Sequence, residues 1–172
     1  MHVAIERRAA TEAEARALAS VVRLRILRLC LEQALTNKEI AHRLGTHPAT
    51  TLHHVRKLVS TGFLVAEETR RGARGAREVP YRATGKSWTL DVAEAGSSGP
   101  QAMLDAFLHE IRAVRLEQVE MARLGLRLTD EEYAELRQRL SDLLDEYARR
   151  PPSAQGRPYS VFLSVHPDVD RD

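Results

Sequence analysis

Residues 36–82 read TNKEIAHRLGTHPATTLHHVRKLVSTGFLVAEETRRGARGAREVPYR. Thr36-Asn37-Lys38-Glu39 has capping-box spacing, in which the Thr hydroxyl accepts a backbone N–H three residues on and the Glu reaches back. A helix therefore opens at Thr36, with Ile40, Ala41 and Leu44 on one side. Gly45 ends it in the left-handed position. A second helix starts almost at once. Pro48 fits its first turn, where a missing N–H costs nothing, and Thr46 or His47 caps it. It runs to about Thr61, where Gly62 stops it. Two helices joined by so short a Gly-containing turn carry the helix-turn-helix signature.

At about 100° per residue, Thr51, Leu52, Val55, Leu58 and Val59 of the second helix share one arc, the core side. Thr50, His53 and Lys57 lie opposite, flanked by Ala49, His54 and Arg56. That face holds hydroxyl, imidazole and cationic groups without a carboxylate, chemistry that suits phosphates and base edges. A plain solvated face is the competing reading.

Phe63–Ala66 and Val79–Ala83 read as paired strands, with Pro80 confining the second to an edge or a bulge. Between them Arg70, Arg71, Arg74 and Arg77 alternate with Gly and Ala, a mobile tip able to follow phosphates or enter a minor groove.

Taken together, LASVVRLRILRLC (18–30), LTNKEIAHRLG (35–45), HHVRKLVSTGFLV (53–65) and a basic hairpin ending in PYRAT (80–84) resemble the winged helix-turn-helix regulators of the ArsR type. The resemblance covers about residues 15 to 86, half the chain. It implies a usually homodimeric bacterial transcription factor, often a repressor released by a ligand. It makes 48–61 the recognition helix and Arg70–Arg77 the wing. The paired-cysteine motif of the metal-sensing branch is missing, so no metal or cofactor is expected there.

The DNA-binding set is therefore Thr46, His47, Thr50, His53, His54, Arg56, Lys57, Arg70, Arg71, Arg74 and Arg77. Double-stranded DNA is the expected partner, read by a homodimer on an inverted-repeat operator. The rival from another class is a winged-helix adaptor that docks proteins instead of DNA. A wing carrying five Arg, with Arg82 the fifth, favours nucleic acid.

Charge divides along the chain. Residues 1–90 hold sixteen Lys and Arg against eight Asp and Glu, whereas residues 91–172 hold ten against sixteen. One end attracts nucleic acid and the other repels it. No apolar run is long enough for a membrane span and no leader pattern opens the chain, so a cytoplasmic location is expected. Cys30 is the only cysteine. It reads as a small buried hydrophobe before a redox sensor, since no resolving thiol accompanies it.

A capping box at Thr11–Glu14 opens a helix expected to run to about Gln33. Trp88 either seals the wing base or lines a pocket, and sealing is the stronger expectation. Residues 91–100, with GSSGP at 96–100, have linker chemistry and divide a DNA-binding domain (1–90) from a helical region (101–172). There a helix over 101–125 and another from the Thr129 capping box are expected to form an αα-hairpin. Its apolar stripe would pair two chains through Leu104, Phe107, Leu108, Ile111, Tyr133, Leu136, Leu140, Leu143 and Tyr147. Residues 159–165 read as a strand. His109 and Glu110 are either a metal pair across a dimer axis or surface groups, the second being favoured. No catalytic signature is present. An effector cleft between the two halves is expected, with no residue naming the ligand. The fold class is mainly α with a β-hairpin wing.

Overall fold

The structure, a computed structural model, describes residues 7–72, 75–91, 98–153 and 155–171. These residues fall into two compact units that divide between Ala113 and Val114.

The first unit opens with β1 (Arg8–Ala9) and two helices, α1 (Glu12–Leu18) and α2 (Val21–Leu29). The single helix expected over 11–33 is broken at Ala19 and Ser20, where Ser20 takes extended backbone and α2 begins afresh. The break turns Ala17 and Leu18 of one helix and Ile26 and Leu27 of the next into the same core. Next come β2 (Leu35–Thr36), α3 (Asn37–Leu44), α4 (Pro48–Ser60) and β3 (Leu64–Ala66). The tip strands β4 (Arg70–Arg71) and β5 (Arg77–Glu78) follow, then β6 (Pro80–Ala83), β7 (Leu90–Asp91) and α5 (Ser98–Ile111). Three strands order as β2-β6-β3, all antiparallel, with β4–β5 as a separate hairpin and β1 parallel to β7. The architecture is mainly α with a β-hairpin wing, as expected.

Pro80 departs from expectation. It lies on the central strand of the sheet, opposite Thr36, instead of on an edge. The position tolerates it because it is the strand's first residue, where a missing donor is cheapest. Its carbonyl still accepts the Glu67 N–H at 2.9 Å.

Ile26, Ile40, Val55, Leu58 and Phe63 are fully enclosed in the first unit's core. Each such side chain contributes about 1.5–3 kcal/mol through burial. Cys30 is enclosed with them, and burial pushes its thiol up to about 11. That removes the thiolate a redox sensor needs.

Helix α5 differs from the expected 101–125 helix at both ends. It starts at Ser98, so Gly99 and Pro100 of the expected linker form its first turn, while residues 92–97 lie outside the described set. It stops at Ile111, and an irregular stretch with a 3-10 turn at Leu116–Gln118 follows. It packs on α1 and α2 through Ala102 and Ala106, small residues spaced one turn apart. The helix thus belongs to the first unit, and the division falls later than the 91–100 boundary. Beyond Ile111 the side chains find no core to rest on, and propensity alone sustains short helices poorly.

The second unit contains α6 (Asp130–Arg149), which opens on a complete Thr129–Glu132 capping box. Residues 159–165, expected as a strand, pair with no strand among the described residues. A strand without a ladder partner leaves its amides to solvent and gains no sheet stabilisation. Helix α5 lies in the first unit and α6 in the second. Among the described residues, no helix is long and apolar enough to cross a membrane.

Candidate nucleic-acid interface

Local chemistry sets the angle between α3 and α4. The Thr36–Glu39 capping box is complete and Gly45 is left-handed at φ 66°. His47 is the cap of α4, its Nδ1 accepting the Ala49 N–H at 3.2 Å. Thr46 holds the turn in another way: its hydroxyl lies 2.8 Å from that of buried Thr51, which also donates to the His47 carbonyl. Asn37 adds a tie between the helices, its side-chain amide donating to the Pro48 carbonyl at 2.8 Å.

The two arcs of α4 separate largely as its periodicity implies. Thr51, Val55 and Leu58 are buried, Leu52 is half-buried, and Val59 reaches the surface. On the other side Thr50, His53 and Arg56 are exposed and Lys57 is half-buried. His54 is set deeper. Its Nδ1 is buried with no hydrogen-bond partner among the described residues. Burial first, then Arg23 and His53, pull its pKa below the ordinary histidine value. A neutral, inward His54 belongs to the edge of this surface. Its ring meets that of His53 edge-on at 5.8 Å. No cluster of metal-ligating side chains occurs among the described residues.

The wing arginines divide into two kinds. Arg71 and Arg77 face each other across β4–β5 and are both exposed. No carboxylate pairs with either among the described residues. Like charges directly opposite on a hairpin repel and destabilise it. An anion between them would reverse that cost. With Thr69, Arg70 and Gly75 they line an open cleft of about 470 Å³. Arg70 and Arg82, by contrast, are engaged. Arg70 meets Glu39 of α3 at 2.7 Å. Arg82 pairs with the Glu67 carboxylate and donates to the Glu32 carbonyl at 2.9 Å. Of the expected phosphate contacts, Arg70 is thus paired with a carboxylate of the chain itself, as is Arg82, the fifth Arg of the wing. Arg74 lies outside the described residues.

One group escaped the sequence reading altogether. Glu14, only 6% exposed, receives Arg8 and Lys86, each at 2.7 Å, and the Thr11 N–H at 2.8 Å. The Arg8 and Lys86 hydrogen bonds hold its carboxyl far below the usual carboxylate range. Lys86 also donates to the Thr61 carbonyl at 2.6 Å and lies 5.2 Å from the Phe63 ring centre. The network ties α1 to the end of α4 and the foot of the wing. Its visible trace was the Thr11–Glu14 capping box, but nothing local to Lys86 announces its partner. Trp88 sits close by at the wing base, half-buried, under the Arg7 guanidinium at 4.8 Å.

The surfaces expected to pair two chains are partly turned outward. Met103, Leu104 and Leu108 of α5 are exposed while Phe107 and Ile111 are half-buried. On α6, Tyr133, Leu143 and Tyr147 are exposed and Leu136 and Leu140 half-buried. His109 is exposed, and Glu110 pairs with Arg28 at 3.2 Å.

No curated protein matches the chain. Among solved structures, reduced HlyU from Vibrio cholerae shares 22% identity over 59% of this chain and 87% of its own, with TM-score 0.36. The homodimeric winged helix-turn-helix DNA-binding domain of Mb0332 from Mycobacterium bovis, a possible ArsR-family regulator, shares 24% over 65% and 85%, TM-score 0.34. Bacillus subtilis PadR in complex with operator DNA shares 19% over 79% and 82%, TM-score 0.34. Superposition at that level assigns no residue its role. The helix-turn-helix domain family matches residues 18–67 directly. With the hairpin that follows, those residues build a winged helix-turn-helix, the fold that the resemblance to ArsR-type regulators implied.

Proposed function

We propose that this protein is a DNA-binding transcriptional regulator. The observation that carries the reading is the Arg71–Arg77 pair, two exposed side chains set opposite each other that form no ion pair with a carboxylate among the described residues. A phosphate backbone supplies the missing counter-charge. Thr50, His53, Arg56 and Lys57 of α4 then face the major groove, with Thr46 and His47 shaping the helix start and His54 at its border. Ala49 and Thr50 stand near that start, where a thymine methyl is the natural apolar contact.

The chain acts as a homodimer, in this proposal as a repressor, with two α4 helices about 34 Å apart on an inverted repeat. Leu104 and Leu108 of α5 offer one apolar surface for pairing, and Tyr133, Leu143 and Tyr147 of α6 offer another. Phe107, Ile111, Leu136 and Leu140 back it. The protein works in the cytoplasm, catalyses no reaction, and answers to a small-molecule effector whose chemistry the residues do not specify.

The test is a salt titration of duplex binding. Arg71→Ala and Arg77→Ala should each flatten the plot of log affinity against log salt by about one unit, equally on every sequence. His53→Ala and Lys57→Ala should instead change sequence preference by about 1–3 kcal/mol per lost base contact. A slope unmoved by either Arg variant would refute the phosphate role.

A further inference from the structure

Arg70 stands apart from its neighbours on the wing. Its Nη2 lies 2.7 Å from Oε1 and 2.8 Å from Oε2 of Glu39, so one nitrogen sits between both carboxylate oxygens. Glu39 is itself held. Its Oε2 accepts the Thr36 N–H at 2.7 Å while the Thr36 hydroxyl accepts the Glu39 N–H at 3.3 Å. Thr36 in turn pairs with Pro80 in the sheet. The carboxylate is therefore fixed at the first turn of α3 and cannot swing away without breaking the cap.

We infer that Arg70 is a positioning residue: it clasps the wing to Glu39 at the start of α3 and masks that carboxylate, instead of serving as a phosphate contact. The inference rests on the DNA-binding reading above. Two charges cancelled against each other release no counterions when a duplex arrives, so the pair adds nothing to the salt dependence. Left bare, Glu39 would put a negative charge at a helix N-terminus, the end whose amides otherwise favour an anion. Arg71 and Arg77 have no such partner among the described residues and carry the phosphate contacts.

The experiment compares wild type with Arg70→Ala, Glu39→Gln, the double variant, Arg71→Ala and Arg77→Ala. All are read by salt titration on a random-sequence duplex, with far-ultraviolet circular dichroism melts to confirm folding. Glutamine completes a capping box as glutamate does, so Glu39→Gln keeps α3 intact. Arg70→Ala should weaken binding by exposing Glu39. The double variant should restore affinity to within about twofold of wild type, with the wild-type slope, because both members of one coupled pair are gone. Glu39→Gln alone frees a cation and should steepen the slope by about one unit. A double variant that keeps the full loss of Arg70→Ala would overturn the inference and make Arg70 a phosphate contact, leaving the DNA-binding reading intact. A wild-type chain with no affinity for duplex, or Arg71→Ala and Arg77→Ala without effect, would remove both.

Discussion

The two units bury apolar side chains to very different degrees. In the first, Phe63 is 1% exposed and Ile26, Ile40, Val55 and Leu58 are fully enclosed. In the second, Leu143 is 51% exposed, Tyr147 59% and Tyr159 86%. Both contain helices with complete capping boxes, at Thr36 and at Thr129. Local sequence signals thus build a helix equally well in either place. What differs is whether the chain itself supplies a surface for the apolar face. The first unit is stabilised by its own core, whereas the second presents apolar surface that its own residues leave uncovered.

The largest expected effect tests that contrast directly. Phe63→Ala should cost about 3–5 kcal/mol in denaturant unfolding, through lost transfer energy and a cavity. Leu143→Ala should cost less than about 0.5 kcal/mol in dilute protein, as surface changes do. A comparable loss at both positions, growing with protein concentration, would show that another copy covers α6.

Glu14→Gln comes next, at about 1.5–3 kcal/mol, because it removes the charge from the hydrogen bond to Lys86, while the half-exposed Arg8 keeps its water. The pH dependence has a definite sign. The folded-state carboxyl is depressed, so its contribution is complete above the ordinary glutamate value of about 4.3 and is lost as pH falls below it. Acid titration of wild-type stability should slope downward there, and the Gln variant should lack that component of the slope.

The smallest effect separates the two capping boxes. Thr36→Ala and Thr129→Ala each remove a cap worth about 1 kcal/mol. Thr36 is buried and its strand pairs with β6, so its loss should lower the global unfolding midpoint. Thr129 is exposed, and its loss should appear as frayed α6 helicity with little change in that midpoint. A midpoint shift of equal size would mean that the two units melt together.

Legibility followed the range of the interaction. Capping boxes, the Gly45 and Gly62 stops and the buried arc of α4 depend on neighbours within a turn or two, and they are plain in the residues. The wing was visible from alternation and its Arg-rich tip. What stayed hidden was long-range pairing. Arg70 meets Glu39 from 31 positions away, and Arg82 reaches the Glu32 carbonyl from 50. A count of arginines cannot tell which of them are already spoken for. The stripe over 101–111 shows its bulky residues, but not that Ala102 and Ala106 on the other side are the ones the first unit buries. The residues 159–165 alternate like a strand, yet alternation names a face and not a partner.

Lys86 has a mechanical consequence. One ammonium group touches the carbonyl that ends α4, the carboxylate rooted in α1 and the ring at the head of β3. A side chain built at Gly62 would come within 3.3 Å of its nitrogen, at a backbone φ of +74° that already resists substitution. The end of α4, the acid of α1 and the head of β3 are thereby tied at one point at the foot of the wing. Changes at the hairpin tip lie away from these contacts and should leave them in place.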